Sequence, residues 1–348
     1  MPVTTSPVCV TGATGFVAGE IVRQLLENGY SVRGTTRDPE LAWRQRHVTG
    51  LPGADERLEL VAADLLDPGA FDSVVEGCEY VIHTASPYVT DVANPYRDLI
   101  APAVNGTLSV LKACLRSGTT KRVVLTSSFA AITDEPDGQL LTEADWNTQS
   151  TLTRNAYYLS KTTAERAAWG FMEETRPDFD LVVINPPIVL GPSLIPGLNT
   201  GARPIVALTN GLWPGIVDLQ WPIADVRDVA TAHLRALEIP TASGRYLTAA
   251  GVRSMREVVT LLRANGWAER YRLSTISLDN AIGSFLVRLA ANLQKRGTRS
   301  YLKTHVGGRF QIDTSKVRTD LGIVFRDPDQ TVLDAMADLE RWGHLGRR

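Results

Sequence analysis

The amino-acid sequence predicts an α/β fold in which a doubly wound, mostly parallel sheet is followed by a smaller, less regular C-terminal lobe. Through the first half of the 348 residues, short β-branched runs alternate with longer segments of helical periodicity, which is typical of βαβ units. After Pro186-Pro187 glycine and proline become frequent, which indicates less regular structure. The composition is 44% hydrophobic and 21% charged, as expected of a globular chain with a large core.

Predicted strands and helices alternate from the N-terminus onward. Strands are expected at residues 8–10, 31–35, 58–62, 80–84, 122–126 and 181–185, and helices near residues 15–27, 69–76, 96–117 and 155–174. Asn28-Gly29 supplies a C-terminal cap for the first of these helices. Right-handed crossovers between parallel strands then place the strands in one sheet.

The change in composition after Pro186 predicts two units, residues 1–186 and a lobe over residues 187–348. Residues 221–236 and 244–264 each predict a strand followed by a helix, and we expect the stretch 221–250 to return to the main sheet. A last helix is predicted near residues 330–342.

Charge and cysteine content exclude several classes of function. Thirty-six basic against thirty-eight acidic residues give a net charge of -2, without the basic excess of a nucleic-acid or anionic-membrane binder. Cys9, Cys78 and Cys114 are too few and too scattered for a disulfide framework or a thiolate metal site, and the five histidines lack ligand spacing. We therefore expect no metal and neither a nucleic-acid nor a membrane partner.

The N-terminus predicts a cytoplasmic protein. It has neither the positive start nor the apolar run of a signal peptide, and no stretch approaches the roughly 18–20 apolar residues that span a bilayer. Residues 281–293, interrupted by Arg288, predict an amphipathic helix. We expect a monomer or a homodimer.

The first motif, TGATGFVA, lies between the first strand and the first helix. Gly12 permits a tight turn, Gly15 lets the backbone approach a pyrophosphate, and Ala18 allows close packing of the helix on the strand. Thr14, Phe16 and Val17 complete the segment that would contact the ligand. This spacing favours a dinucleotide site over a plain tight turn.

The end of the second predicted strand indicates which dinucleotide is bound. NAD-specific sites place an acidic residue about 20 residues after the glycine motif, where this chain reads Thr36-Arg37-Asp38. Arg37 suits a ribose 2′-phosphate, with Arg44 as a possible second cation, which favours NADPH/NADP⁺. Two alternatives remain open. In the first, Arg37 is simply a surface residue beside Asp38; in the second, Asp38 binds the ribose and selects NAD.

Residues after the third and fourth strands complete the predicted cofactor site. Asp64 is placed to accept from an adenine amine, although it could equally cap the next helix. The small residues Thr84, Ala85 and Ser86 would let the chain pass close beneath the cofactor.

Two further motifs carry the predicted chemistry. Tyr157 and Lys161 are four residues apart on a predicted helix, so the ammonium can lie near the phenol and lower its pKa. A lowered pKa is what a tyrosine needs to donate its proton to a carbonyl at neutral pH. Ser127 and Ser128 end the fifth strand, at the sheet edge where ligands bind. Adjacent strand residues face opposite ways, and the period alone does not choose between these serines.

The motifs TGATGFVA, VRGTTRDP, RVVLTSS, YYLSK and NPP-x-VLGP, in this order, resemble the extended short-chain dehydrogenase/reductase superfamily, and within it the dihydroflavonol-reductase-like branch. The resemblance implies a Rossmann fold, Ser128 as the catalytic serine, Tyr157 as acid/base and Lys161 as its partner, also bound to the nicotinamide ribose. It places Arg37 on the 2′-phosphate. It also implies cofactor contacts from Asp64, Leu65, Pro186, Ile188 and Val189.

Departures from the plant members of this branch bear on the substrate. Thr133 stands where plant dihydroflavonol reductases carry an asparagine, and the chain reads Asn155-Ala156-Tyr157-Tyr158 where cinnamoyl-CoA reductases usually read asparagine-tryptophan-tyrosine-cysteine. These differences favour a microbial carbonyl reductase of broad scope.

The aromatic residues Tyr88, Phe129, Trp213 and Trp221 predict an apolar pocket, although each tryptophan could equally belong to the core of the lobe. We therefore expect an NADPH-dependent reductase of neutral aryl or bulky alkyl ketones, aldehydes and ketoesters. A sugar-nucleotide epimerase or dehydratase and a non-catalytic NADP sensor are the alternatives.

Overall fold

The computed structural model describes residues 3–40, 42–86 and 92–346, and only the backbone of residues 42–44. Its strands, in chain order, are β1 (Val8–Thr11), β2 (Val32–Thr36), β3 (Leu58–Ala62), β4 (Tyr80–His83), β5 (Arg122–Thr126), β6 (Asp137–Leu141), β7 (Asp180–Asn185), β8 (Ile188–Leu190), β9 (Ile216–Val217), β10 (Gln220–Asp225), β11 (Gly244–Leu247), β12 (Gly251–Ser254), β13 (Ser277–Leu278) and β14 (Arg309–Ile312).

The α-helices are α1 (Phe16–Glu27), α2 (Ala42–Thr49), α3 (Ala54–Arg57), α4 (Asp72–Val75), α5 (Ala101–Ser117), α6 (Ala156–Thr175), α7 (Arg203–Thr209), α8 (Val226–Glu238), α9 (Met255–Ala264), α10 (Trp267–Arg270), α11 (Ala281–Ala290), α12 (Arg296–His305), α13 (Ser315–Leu321) and α14 (Pro328–Arg341). A π-helical turn at Tyr96–Ile100 leads into α5, and short 3₁₀ turns lie at Phe129–Ala131 and Ala291–Leu293. The helix expected at residues 69–76 is limited to α4, because Gly69 and Gly77 adopt positive φ angles on either side of it.

The predicted fold class is confirmed. The main sheet has seven strands in the order β11-β7-β5-β4-β1-β2-β3, and every pairing within it is parallel. The chain starts at β1, winds out to β3, and then returns through β4 to the other side. The carboxyl ends of β1 and β4 therefore meet at the switch point, where Thr11 is in register with His83. Ligands bind at this edge in open α/β sheets.

Both faces of the main sheet are covered by helices. On one face α1 and α8 bury a cluster that includes Ile21, Leu25 and Leu234, and on the other α5 and α6 bury Val110, Leu111 and Phe171. Strands buried on both faces read as continuous β-branched runs, which explains why the sequence pattern predicted them well.

The expected return of residues 221–250 to the main sheet is confirmed only in part. Gly244–Leu247 does join it, beside β7, and α8 packs against it. The strand at Trp221 instead belongs to a separate three-stranded sheet in the order β12-β10-β8. This sheet packs with α7, α9 and α14 to form the core of the lobe, so the strand expected at Trp221 extends the lobe rather than the main sheet.

One helical segment departs from the expectation about bilayer-spanning stretches. Residues Tyr96–Ser117 are long and apolar enough, by length and composition alone, to cross a membrane. Half of this segment is buried inside the protein, and α5 packs on the main sheet and on α6. The core helix of a globular α/β protein has the same properties.

Candidate active site

The turn after β1 forms the centre of the site. Gly12 adopts a φ of +66°, and a Cβ at this position would lie 3.2 Å from the Cβ of Ala85. The amide of Gly12 donates to Thr35 Oγ1 (2.9 Å) and the amide of Ala13 to the Thr35 carbonyl (2.9 Å), so the end of β2 holds the turn. A side chain at Gly12 would meet both a strained backbone and a close neighbour.

Helix α1 begins directly after this turn, with Gly15 as its N-cap. No side chain caps the helix, and its first turn carries no acidic residue, so the amides and the positive end of the helix dipole can bind an anion. The backbone of Thr14 forms one wall of the turn, and its carbonyl lies 3.1 Å from His47 Nε2. The residues present therefore fit a dinucleotide pyrophosphate.

Arg37, which the sequence predicts to bind the 2′-phosphate, lies just after the end of β2. It is exposed and follows β2 by one residue, close to the glycine-rich turn that Thr35 holds. Its neighbour Asp38 is also exposed and remains the alternative ribose partner. The side chain of Arg44 lies outside the described residues.

Replacing Arg37 tests the choice of cofactor. Arg37→Ala removes one charge-assisted contact to a 2′-phosphate, so we expect the Kd for NADPH to rise roughly 10- to 100-fold while that for NADH changes little. Fluorescence titration of the two cofactors measures this. Arg116→Ala, which removes an exposed arginine paired with Asp72, is the control. An equal loss of affinity for NADPH and NADH would contradict the role of Arg37.

The ends of β3 and β4 border the same turn. Asp64 Oδ1 accepts from the amide of Leu66 (2.9 Å), so part of its hydrogen-bonding capacity serves a local turn, and Leu65 packs against Gly106 of α5. The amides of Thr84 and Ala85 donate to Thr11 Oγ1 (3.1 and 3.0 Å). The chain after β4 is thereby held against the glycine-rich turn.

Ser86, the next residue, links this edge to helix α6. Lys161 Nζ donates to Ser86 Oγ (2.9 Å) and lies 5.9 Å from the centre of the Tyr157 ring. Burial lowers the pKa of Lys161 to about 8, which leaves the ammonium as the major form at neutral pH. Nearby His83 is fully buried, and burial together with the Lys161 charge lowers its pKa to about 3. Lys161 is thus the cation beside Tyr157.

The two serines after β5 have different surroundings. Ser127 Oγ donates to Glu165 Oε2 (2.5 Å) in the protein interior. Ser128 Oγ accepts from the amide of Ala130 (3.1 Å) and keeps its own proton for another acceptor. Where strand periodicity left the choice open, this geometry favours Ser128 as the serine that meets a ligand.

A buried polar cluster behind these serines was missed by the sequence analysis. Glu165, whose side chain is 0% exposed, also accepts from Arg245 Nε (2.6 Å) and Asn185 Nδ2 (2.8 Å). The same Asn185 amide donates to the Ser128 carbonyl (3.2 Å). The cluster therefore fixes the backbone that presents Ser128 to the cavity.

A cavity of about 840 Å³ lies between the main sheet and the lobe. It brings together ten of the predicted site residues, namely Phe16, Val17, Ser128, Phe129, Tyr157, Lys161, Pro186, Ile188, Val189 and Trp213. The remaining predicted cofactor residues that are described surround the adjoining turn and strand ends. Tyr88 lies outside the described residues.

The prediction that Trp221 lines the pocket is wrong. Its side chain is 2% exposed and packs in the core of the lobe, with Met255 among its cluster. Its neighbours Gln220 and Pro222 line the cavity instead. Because side chains alternate along β10, the residue between two cavity residues points into the core.

Helix α12 supplies a wall that the sequence analysis did not predict. The Tyr158 hydroxyl lies 3.2 Å from His305 Nε2, and the His305 ring stacks on Tyr301 with centres 4.2 Å apart. Burial lowers the pKa of His305 to about 4, so the ring is neutral at pH 7. The available signal was the i, i+4 spacing of Tyr301 and His305, which places both rings on the same face of a helix.

The doubly wound sheet and the glycine-rich turn at its switch point place the chain among dinucleotide-dependent oxidoreductases with a Rossmann fold. Residues 8–248 match the model of the NAD dependent epimerase/dehydratase family. The chain belongs to this family, the extended short-chain dehydrogenases/reductases.

Its relatives are reductases. The chain is 37% identical to tetraketide alpha-pyrone reductase 1 of Arabidopsis thaliana, over 97% of this chain and 96% of the relative. It is 47% identical to a cinnamoyl-CoA reductase of Medicago truncatula, over 74% of this chain and 79% of the relative. Among solved structures, yeast methylglyoxal/isovaleraldehyde reductase complexed with NADPH is 28% identical with a TM-score of 0.78, covering 97% of this chain and all of the other.

Proposed function

We propose that the protein is an NADPH-dependent reductase that transfers a hydride to the carbonyl carbon of neutral ketones and aldehydes. The observation that carries this proposal is the meeting of Ser128, Tyr157 and Lys161 in one cavity, beside a turn that fits a dinucleotide pyrophosphate. A hydride acceptor bound there would have a proton donor on one side and the cofactor site on the other.

When bound, NADPH supplies the hydride. Arg37 would hold its 2′-phosphate, the amides from Gly12 to Val17 its pyrophosphate, and Asp64 and Leu65 would border the adenine. Pro186, Ile188 and Val189 line the cavity close to Lys161, which suits contacts with the nicotinamide ribose.

Tyr157 is the proposed proton donor to the carbonyl oxygen. As negative charge develops on that oxygen, the Tyr157 hydroxyl gives up its proton, and the Lys161 ammonium stabilises the phenolate that remains. Ser128 donates a hydrogen bond to the same oxygen and fixes its position. Ser86 holds the Lys161 ammonium in place, 2.9 Å from its own hydroxyl.

The lining of the cavity supports neutral, largely apolar substrates. Among the described residues that line it, no aspartate or glutamate is present, and the lobe side is built from residues such as Ile195, Pro204 and Trp213. Apolar pockets with a few polar groups bind uncharged organic molecules and orient them by one or two hydrogen bonds. Aryl or bulky alkyl ketones and ketoesters have this character.

One observation favours the alternative of a sugar-nucleotide epimerase or dehydratase. Arg203 and Arg296 both line the cavity, and guanidinium groups recognise diphosphates well. The family also includes epimerases and dehydratases by its name. A non-catalytic NADP sensor is less consistent with the chain, because both Tyr157 and Lys161 are present.

Comparing substrates separates these functions. With the ketone followed by NADPH oxidation and the UDP-sugar by product formation, we expect kcat/KM for an aryl ketone or an aromatic ketoester to exceed that for a UDP-sugar by roughly 100-fold or more, because the apolar lining matches an apolar substrate better than a hydroxyl-rich sugar. A preference for the UDP-sugar would contradict the proposal and support the alternative. Binding of NADPH without turnover of any carbonyl compound would support the sensor.

We also propose that the protein works in the cytoplasm. Cys9, Cys78 and Cys114 are all free and buried, as a reducing compartment allows.

A further inference from the structure

Helix α11 and the turn that follows it expose a continuous apolar stripe. Five large side chains on one face are between 50% and 88% exposed, namely Ile282, Phe285, Leu286, Leu289 and Leu293. The opposite face, with Val287 and Ala291, is packed in the core of the lobe. The helix is therefore fixed to the protein by one side and presents a second apolar side to the surroundings, and contiguous patches of this kind mark interaction surfaces.

The segment of the chain that contains the stripe, residues 281–305, carries charges of one sign. Residues 281–305 contain Arg288, Lys295, Arg296, Arg299 and Lys303 and no aspartate or glutamate, in a chain whose net charge is -2. The side chains from Lys295 to Arg299 and Lys303 are exposed on or just before α12, with the glycine between them half-buried. The overall charge balance that argued against a membrane partner thus hides a local basic segment.

We propose that this stripe and its basic residues form a peripheral binding surface for an anionic lipid bilayer. An apolar face that inserts between lipids, bordered by lysines and arginines that meet anionic headgroups, is the arrangement by which amphipathic helices lie in a membrane interface. Both halves of that arrangement are present on α11 and α12, and the bilayer supplies both the apolar layer and the negative charge.

A second copy of this chain fits the same surface less well. A two-fold interface with parallel stripes would place the basic segment of one copy beside that of the other, and like charges at an interface cost free energy. An antiparallel one would place each basic segment opposite the start of the other copy's α11, and residues 281–305 contain no aspartate or glutamate to pair with it. A bilayer with anionic headgroups has the opposite charge.

The position of the surface has a consequence for access to the active site. Helix α12 begins at Arg296, three residues after Leu293, and Arg296, Gly297 and Thr298 line the cavity. A bilayer bound at the stripe would therefore lie beside the cavity wall. Apolar carbonyl compounds dissolve in the lipid, so their concentration would be high next to the cavity. The binding itself does not depend on the proposed function.

Sedimentation with vesicles tests the proposal without any activity measurement. The full-length protein is expected to sediment with vesicles of phosphatidylcholine and phosphatidylserine at a ratio of about 7:3, to bind vesicles of phosphatidylcholine alone at least about tenfold more weakly, and to be released by high salt. Recovery of the protein in the supernatant with both kinds of vesicle would overturn the proposal.

Two double variants examine the two parts of the surface. Phe285→Ser with Leu289→Ser, and separately Lys295→Gln with Lys303→Gln, are each expected to weaken binding to the anionic vesicles by at least about tenfold. The matched control is Val324→Ser with Leu140→Ser, which removes two exposed apolar side chains elsewhere and should bind as the unmodified protein does. All six positions are exposed, so we expect the thermal unfolding midpoints of the variants to equal that of the unmodified protein. Equal midpoints would show that each variant is folded.

Two results would contradict the proposal even if the protein sediments. One is equal binding by the control and by both double variants. The other is a dimer in light scattering that the Phe285→Ser, Leu289→Ser variant converts to a monomer, because the stripe would then be covered by a second copy of the chain.

Discussion

Replacing Tyr157 with phenylalanine is expected to lower kcat by roughly 100- to 10,000-fold while leaving the Kd for NADPH near that of the unmodified protein. The change removes only the hydroxyl, so it removes the proposed proton donor and keeps the ring that faces the cavity. Steady-state NADPH oxidation gives kcat, and fluorescence titration gives the Kd.

Tyr158→Phe is the matched control. Tyr158 is the next residue of α6, about 100° around the helix, and its hydroxyl lies 3.2 Å from His305 Nε2 rather than beside Lys161. This variant should keep most of its turnover. If it is the inactive one, the proton donor lies on the other face of the helix and the assignment of Tyr157 is wrong.

Replacing Glu165 with leucine is expected to lower the free energy of unfolding by about 3–5 kcal/mol. Glu165 and Arg245 form a buried ion pair with side chains 0% and 7% exposed, and removing one partner leaves a buried guanidinium without its counter-charge. Asn185 and Ser127 lose an acceptor at the same time. Denaturant titration measures the loss.

Two comparisons make the Glu165 result specific. Glu173→Leu changes an exposed glutamate on the same helix, so it should alter the free energy of unfolding by only about 0.5 kcal/mol. Combining Glu165→Leu with Arg245→Met removes both charges and should recover part of the loss. A single Glu165→Leu variant as stable as the Glu173→Leu variant would show that the buried pair contributes little.

The parts of the site that the sequence predicted are those in which nearby residues act together. The glycine-rich turn and the spacing of Tyr157 and Lys161 are each contained in fewer than ten residues, and the backbone geometry of a turn or a helix fixes how such residues meet. The strands of the main sheet were equally accessible, because burial on both faces leaves a continuous apolar run.

The parts that the sequence did not predict depend on contacts between distant segments. Glu165 meets Arg245, 80 residues further on, and nothing in either local pattern indicates the pair. The orientation of Trp221 depends on which face of β10 the lobe covers. The exposure of the α11 stripe also depends on tertiary structure, because the periodicity of its apolar residues alone would suit a helix packed in the core.

The most direct test of the central claim follows the hydrogen that is transferred. Turnover of an aryl ketone with NADPH carrying deuterium at both C4 positions is predicted to give an alcohol with one deuterium on its carbinol carbon, together with an equal amount of NADP⁺, as mass spectrometry and NMR would show. An alcohol without deuterium, or a sugar nucleotide isomerised while the cofactor is returned unchanged, would contradict the account.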